Sequence, residues 1–133
     1  PIILADVQDN PGAGAASDNI EILEALISWK VESSLVGMIN NPEVAKITHK
    51  IGVGGKFRAK IGGKFNPDYT SLECNFKVIS LSDGKFTFKG KMYKGIKANS
   101  GMTACLSIDN CSNIHILISS VRCQALDKAV SIT

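Results

Sequence analysis

The sequence predicts an α+β domain, with two N-terminal helices and short strands followed by a mostly antiparallel, mixed or barrel-like sheet. Three observations carry this. Two segments in the first third have helical apolar spacing, Ile20 to Trp29 and Asn41 to Ile51. After Gly52 the pattern changes to short alternating runs broken by Gly, Asn, Asp and Pro. Finally, 133 residues with 44% hydrophobic and 20% charged side chains suit one domain, residues 1–133, with a real core.

The elements follow in order. Ile2 to Val7 reads as a short apolar strand. A glycine- and aspartate-rich loop follows, with Ser17 or Asp18 as the cap of the first helix and Glu21 completing a capping box. Ile20, Leu23, Leu26 and Ile27 form the inner stripe of that helix, and Trp29 closes its core end. Leu35 to Ile39 is an apolar strand. Asn41-Pro42-Glu43 opens the second helix as cap, first helical proline and first-turn acid. Its inner face is Val44, Ile47 and Ile51, and Gly52 ends it. Strands are expected at Val53–Ile61, Glu73–Leu81, Lys85–Tyr93, Met102–Ile108 and Asn113–Ser119. Ser82-Asp83-Gly84-Lys85 reads as a tight hairpin turn, Asp109-Asn110 begins another, and residues 62–68 form a longer loop. The segment Asp127 to Ile132 has helical character.

Charge and composition exclude some classes. The net charge is +3, with lysines spread from Lys46 to Lys97 and only Arg58 and Arg122 as arginines. That pattern fits solvated strand faces better than a nucleic-acid surface. No run approaches the roughly 18 apolar residues of a membrane span. No signal peptide is evident, and a cytoplasmic location is the expectation. The chain opens on Pro1 within a strand pattern, which suggests a fragment of a larger protein. Cys74, Cys105, Cys111 and Cys123 form no C-x-x-C pair and have no His at zinc-finger spacing, so they read as reduced thiols, though Cys105 and Cys111 flank a turn and could approach. His49 and His115 are isolated, so this chain offers no metal site of its own.

The loop from Asp6 to Asn19 is the candidate site. It brings glycine-rich backbone and a helix start together with Asp6, Asp9 and Asp18. One reading is a nest of backbone N–H groups that holds an anion or polar substrate group, with the carboxylates orienting it. The other is a strand–helix turn in which Asp9 or Asn10 makes an Asx-turn and Asp18 caps the helix. A phosphate loop of the Walker type is excluded, because no Gly-Lys-Ser/Thr follows. Lys64, after two glycines, could reach a substrate carboxylate. Arg122 and Gln124 could form a polar clamp or tie down the end of the chain.

These segments together resemble the C-terminal domain of the MlrC (microcystinase C) family of zinc metallopeptidases. Ala5-Asp6-Val7-Gln8-Asp9-Asn10-Pro11-Gly12-Ala13-Gly14 is similar to the family's AD-x-x-DNPGGG signature. Asn41-Pro42-Glu43-Val44 with Ile51-Gly52-Val53-Gly54 resembles DPE-V … AGVG, and Ile61-Gly62-Gly63-Lys64 resembles LGGK. Ser82-Asp83-Gly84, Gly90 to Gly95, Gly101-Met102-Thr103-Ala104 and Ser120 to Asp127 continue the series in order. The chain departs from the pattern at Ala13, Ser17 and Asn41, where the family has Gly, Gly and Asp. Ala13 restricts a position where Gly could take positive φ.

The resemblance implies a bacterial, two-domain zinc hydrolase of peptide or small amide substrates. Its metal would be bound by an N-terminal domain absent from this chain, which would be the partner of this one. Zinc polarises a carbonyl and activates water in such enzymes. Loop 6–19 would form a cleft wall, with Asp9 and Asn10 in a supporting catalytic role. Asp6, Gly12, Gly14, Asp18, Lys64, Arg122 and Gln124 would contact substrate. The alternative is a non-catalytic structural or oligomerisation module, and a homo-oligomer is compatible with either.

Overall fold

The computed structural model describes residues 2–125. The segment Asp127 to Ile132 lies outside them. Helix α1 (Glu21–Ser28) precedes strand β1 (Ser34–Asn40), and helix α2 (Pro42–Ile51) follows it. Then come β2 (Lys56–Ile61), β3 (Leu72–Ser82), β4 (Lys85–Thr87), β5 (Lys97–Asn99), β6 (Thr103–Ile108) and β7 (Cys111–Ser119). The helices are therefore not both ahead of the sheet, since α2 crosses between two of its strands.

Five strands form one mixed sheet in the order β1-β7-β6-β3-β2. β1 is parallel to β7, with Ser34 opposite Ile114 and Asn40 opposite Ser119. The other three pairings are antiparallel. Asn40, Ser119, Thr103 and Ser82 thus form a row across one end of the sheet. The sheet is open rather than a closed barrel, as β1 and β2 are its edges and share no ladder.

Alternation along the strands fixes the core. Ile114, Ile116 and Ile118 of β7, Ala104, Leu106 and Ile108 of β6, and Phe76 and Val78 of β3 face the helices. Ile20, Leu23, Val44 and Ala45 complete that cluster from the helical side. On the opposite face Met38 and Leu117 form a smaller cluster with Phe86, Cys105 and Cys123.

Helix α2 starts as its sequence requires. The Asn41 side chain accepts the Val44 N–H at 3.1 Å, and Pro42 and Glu43 occupy the first turn. Its buried face is Val44, Ala45 and Thr48; Ile47 and Ile51 are exposed, because the stripe facing the sheet is turned toward the small Ala45. Helix α1 has no side-chain cap at Ile20. Asn19 accepts the Glu21 N–H at 2.8 Å instead, since Ser17 and Asp18 are engaged elsewhere. Trp29 does not close the core: it is 79% exposed, at the C-terminal end of α1.

Three strand expectations are corrected. Ile2–Val7 forms no strand, and Ile2 and Ile3 are each 89% exposed. An extended run needs a neighbouring strand to satisfy its N–H and C=O groups, and among the described residues none pairs with it. The strand expected from Val53 begins at Lys56, because Gly54 takes φ +84° in a turn. The strand expected over Lys85–Tyr93 ends at Thr87, and the chain turns at 91–95 and returns as β5. β4 and β5 form a separate two-stranded ribbon, so the turn at Ser82–Lys85 joins two sheets instead of closing a hairpin. The turn at Asp109-Asn110 does join the antiparallel β6 and β7. All four cysteines are free thiols, and in the ladder Cys105 sits opposite Leu117 while Cys111 sits opposite Ile108.

Candidate functional site

Loop 6–19 lies where the ends of several elements meet, and backbone hydrogen bonding explains its shape. Asn10 accepts the Gly12 N–H on its side chain at 2.9 Å, and its carbonyl accepts from Ala13 and Ala15 at 3.0 and 3.1 Å. The Pro11 carbonyl accepts from Gly14. These bonds wind Pro11–Ala13 into one 3-10 turn, which Gly14 ends at φ +94°. Gly14 is thus the position that needs a glycine here, whereas Ala13 sits inside the turn at no special conformation. The same bonds consume the N–H groups of residues 12–15, so the expected anion nest does not form there.

Asp9 spends both carboxylate oxygens inside the loop. Its Oδ1 accepts the Ser17 N–H at 2.9 Å and its Oδ2 the Asn19 N–H at 2.6 Å. Asp9 is buried, so these charge-assisted bonds fold the loop back on itself. Asp6 is exposed and makes a local Asx-turn, accepting the Gln8 N–H at 2.9 Å.

Ser17 and Asp18 fasten the loop to the sheet edges. Ser17 stands at φ +59°. Its Oγ donates to the Met38 carbonyl at 2.6 Å, and its own carbonyl accepts the Asn40 N–H at 2.7 Å. That covers the outer edge of β1. Asp18 reaches the segment after β2: its carbonyl accepts the Gly63 N–H at 3.1 Å and its Oδ2 the Phe65 N–H at 2.7 Å. Asp18 is only 1% exposed, and its Oδ1 has no partner among the described residues. The carboxylate therefore ties two loops together and does not cap α1.

The polar segment after β7 closes the other side. Arg122 Nη1 donates to the carbonyls of Gly14 and Ala15, both at 3.2 Å. Gln124 packs over Gly12, where a Cβ would collide with its Oε1. Lys64 turns away toward α2 and pairs with Glu43 at 2.7 Å. The structure thus gathers Asp9, Asn10, Gly12, Gly14, Asp18, Arg122 and Gln124 into one locked unit, and leaves Lys64 on a neighbouring ion pair. Ser17 was missed as a member; the departure from Gly at that position was its sequence signal.

Among the described residues, no group of three or more His, Cys, Asp or Glu side chains could hold a metal ion. His49 Nε2 lies 3.1 Å from the Thr103 carbonyl, in a structural contact. The donor set among these described residues does not fit zinc. Burial pushes the Cys74 thiol up to about 11, against the opposing pull of Arg58, and burial also raises the Cys105 and Cys123 thiols. Asp83 is held below the ordinary carboxylate range by the Lys85 backbone N–H and then by the Lys85 side chain.

The sequence of residues 4–132 matches the family model described as MlrC C-terminus. The chain belongs to the MlrC C-terminus family. It is 27% identical over 125 residues to Microcystinase C of Sphingomonas sp., covering 93% of this chain and 23% of that protein. Its fold is similar to a crystal structure described as a candidate metallopeptidase of Mesorhizobium sp. BNC1, with a TM-score of 0.80 at 20% identity. That match covers 90% of this chain and 24% of the other. The chain therefore spans about a quarter of the length of either relative. No described helix is long and apolar enough to cross a membrane.

Proposed function

We propose that this MlrC C-terminal domain forms one wall of the substrate cleft of a zinc-dependent, metallopeptidase-type hydrolase acting on peptide or small amide bonds. The metal would be held by an N-terminal domain of the same protein, as the family resemblance implies. The observation that carries this reading is the locking of loop 6–19 from three sides. Asp9 holds it from within, Ser17 and Asp18 pin it to the sheet edges, and Arg122 clamps it from the β7 end. Such fixing leaves Gly12 and Gly14 exposed on a rigid surface, as a substrate-positioning wall requires, with Asp6 exposed beside it on a local Asx-turn. In this reading Asp9 is a positioning residue, while Asn10 and Asp6 stand nearest the substrate. The small exposed residues Ala13 and Gly14 let a substrate backbone approach closely.

A second reading has one specific observation in its favour. The N–H groups of residues 12–15 and both oxygens of Asp9 are already used within the loop, which suits a purely structural docking or oligomerisation element. Substitution of an exposed residue separates the two. Asp6→Ala in the full-length protein should lower turnover at least about 10-fold with the melting midpoint unchanged, as expected when a positioning contact is lost. Equal turnover would leave the structural reading standing.

A further inference from the structure

The charge of this chain is unevenly placed. Between Asp83 and Asp109 there is no acidic residue, and five lysines fall there: Lys85, Lys89, Lys91, Lys94 and Lys97. The chain as a whole is only +3, so the remainder is acidic on balance. All five lysines are exposed, on the β4–β5 ribbon and its connecting turn. Lys85 is paired with Asp83 at 3.3 Å. Phe86, Phe88 and Tyr93 pack on one another, with ring centroids 5.1 and 5.5 Å apart, and stiffen the ribbon beneath its charges.

The root of this ribbon and loop 6–19 share one end of the sheet. Ser82 and Thr103, which flank the ribbon, lie in the same row as Ser119 and Asn40. The Ser100 carbonyl accepts the Val121 N–H at 3.1 Å, and the next residue, Arg122, donates to Gly14 and Ala15. One short segment therefore braces both the ribbon and the candidate wall.

We infer that the lysine ribbon recruits substrates bearing several carboxylates, making an acidic peptide the substrate class of the neighbouring cleft. A cluster of like charge beside a cleft raises the local concentration of oppositely charged ligands, with an effect that fades as salt rises. One exposed ion pair is weak, so a useful hold needs several carboxylates engaged together. Nucleic acid fits less well, because the ribbon has no arginine and Phe86, Phe88 and Tyr93 are engaged with one another in edge and tilted contacts. A membrane fits less well too, since Met92 and Ile96 are the ribbon's only strongly exposed large apolar side chains among the described residues.

The ribbon's place beside a substrate rests on the cleft-wall reading, but its binding is measured without turnover, so the two fail separately. Fluorescence anisotropy of labelled tetraglutamate and tetraglutamine peptides against the full-length protein at low ionic strength tests it. Tetraglutamate should bind at least about 10-fold tighter, and the gap should shrink at 0.15 M salt, where the Debye length is about 8 Å. The combined variant K91E/K94E/K97E should abolish the preference, and K91R/K94R/K97R should keep it. Equal binding of the two peptides, or a preference that survives the reversal, overturns the inference. It is also overturned if the reversal leaves peptide preference intact but releases the protein from phosphatidylserine vesicles or an oligonucleotide.

Discussion

The Phe65 backbone N–H donates to Asp18 Oδ2 at 2.7 Å, across 47 positions of sequence. A buried carboxylate at this junction joins the first loop to the one after β2. Asp18→Ala would leave the half-buried Phe65 N–H without its acceptor. Stability should fall by about 1–3 kcal/mol, read as a lower urea midpoint with an unchanged slope.

Asp9→Ala should also act through structure. It strands the N–H groups of Ser17 and Asn19, so a loss of about 2–4 kcal/mol is expected for one buried and one half-buried bond to a charged group. Amide exchange at residues 17 and 19 should accelerate well beyond that of the β6–β7 ladder. Equal protection in wild type and variant would contradict the hydrogen bonds at 2.9 and 2.6 Å.

Two departures from the family signature, Ser17 and Ala13, predict different responses. Ser17 holds φ +59°, so Ser17→Gly relieves a left-handed backbone but loses the Oγ bond to Met38. The two effects, each about 1 kcal/mol, should nearly cancel. Ser17→Ala loses the bond without the relief and should cost about 1 kcal/mol. Ala13→Gly has no strain to relieve and should be neutral or destabilising by up to about 1 kcal/mol. Thermal denaturation of the three variants orders them.

Cys74 predicts an alkaline weakness. Its folded thiol ionises near 11, against 9.0 ordinarily, so between these values the unfolded chain has released a proton that the folded chain keeps. The Cys74 contribution is therefore full below pH 9 and is lost as pH rises through about 11. At pH 8 the folded thiol should alkylate about 100-fold more slowly than in the denatured chain, from its thiolate fraction alone. Peptide-level mass spectrometry reports the rate.

What could be read from sequence was what is decided locally. Asn41-Pro42-Glu43 sets the start of α2 within one turn, and Asp109-Asn110 sets the β6–β7 reversal within two residues. Asp18 and Glu21 have capping-box spacing, but the Phe65 N–H outbids the helix for that carboxylate. Lys85 to Tyr93 alternates like one strand, and only the return of the chain as β5 divides it. The grouping of loop 6–19 with Arg122 and Gln124 depends on β1 and β7 being parallel neighbours, a pairing between distant segments that local spacing does not encode. The signature positions marked the candidate site; the contacts show which of its groups already have partners within the chain.

The hold of Ser17 on Met38 and Asn40 has a consequence for solubility. Those two backbone groups lie on the outer margin of β1, and an uncovered margin is a template for another chain to add a strand. Weakening the first loop would thus bare a short adhesive strip as well as deform the candidate site. Variants such as Ser17→Ala and Asp9→Ala should self-associate in proportion to how far the loop lifts, linking colloidal behaviour to the same two-residue latch.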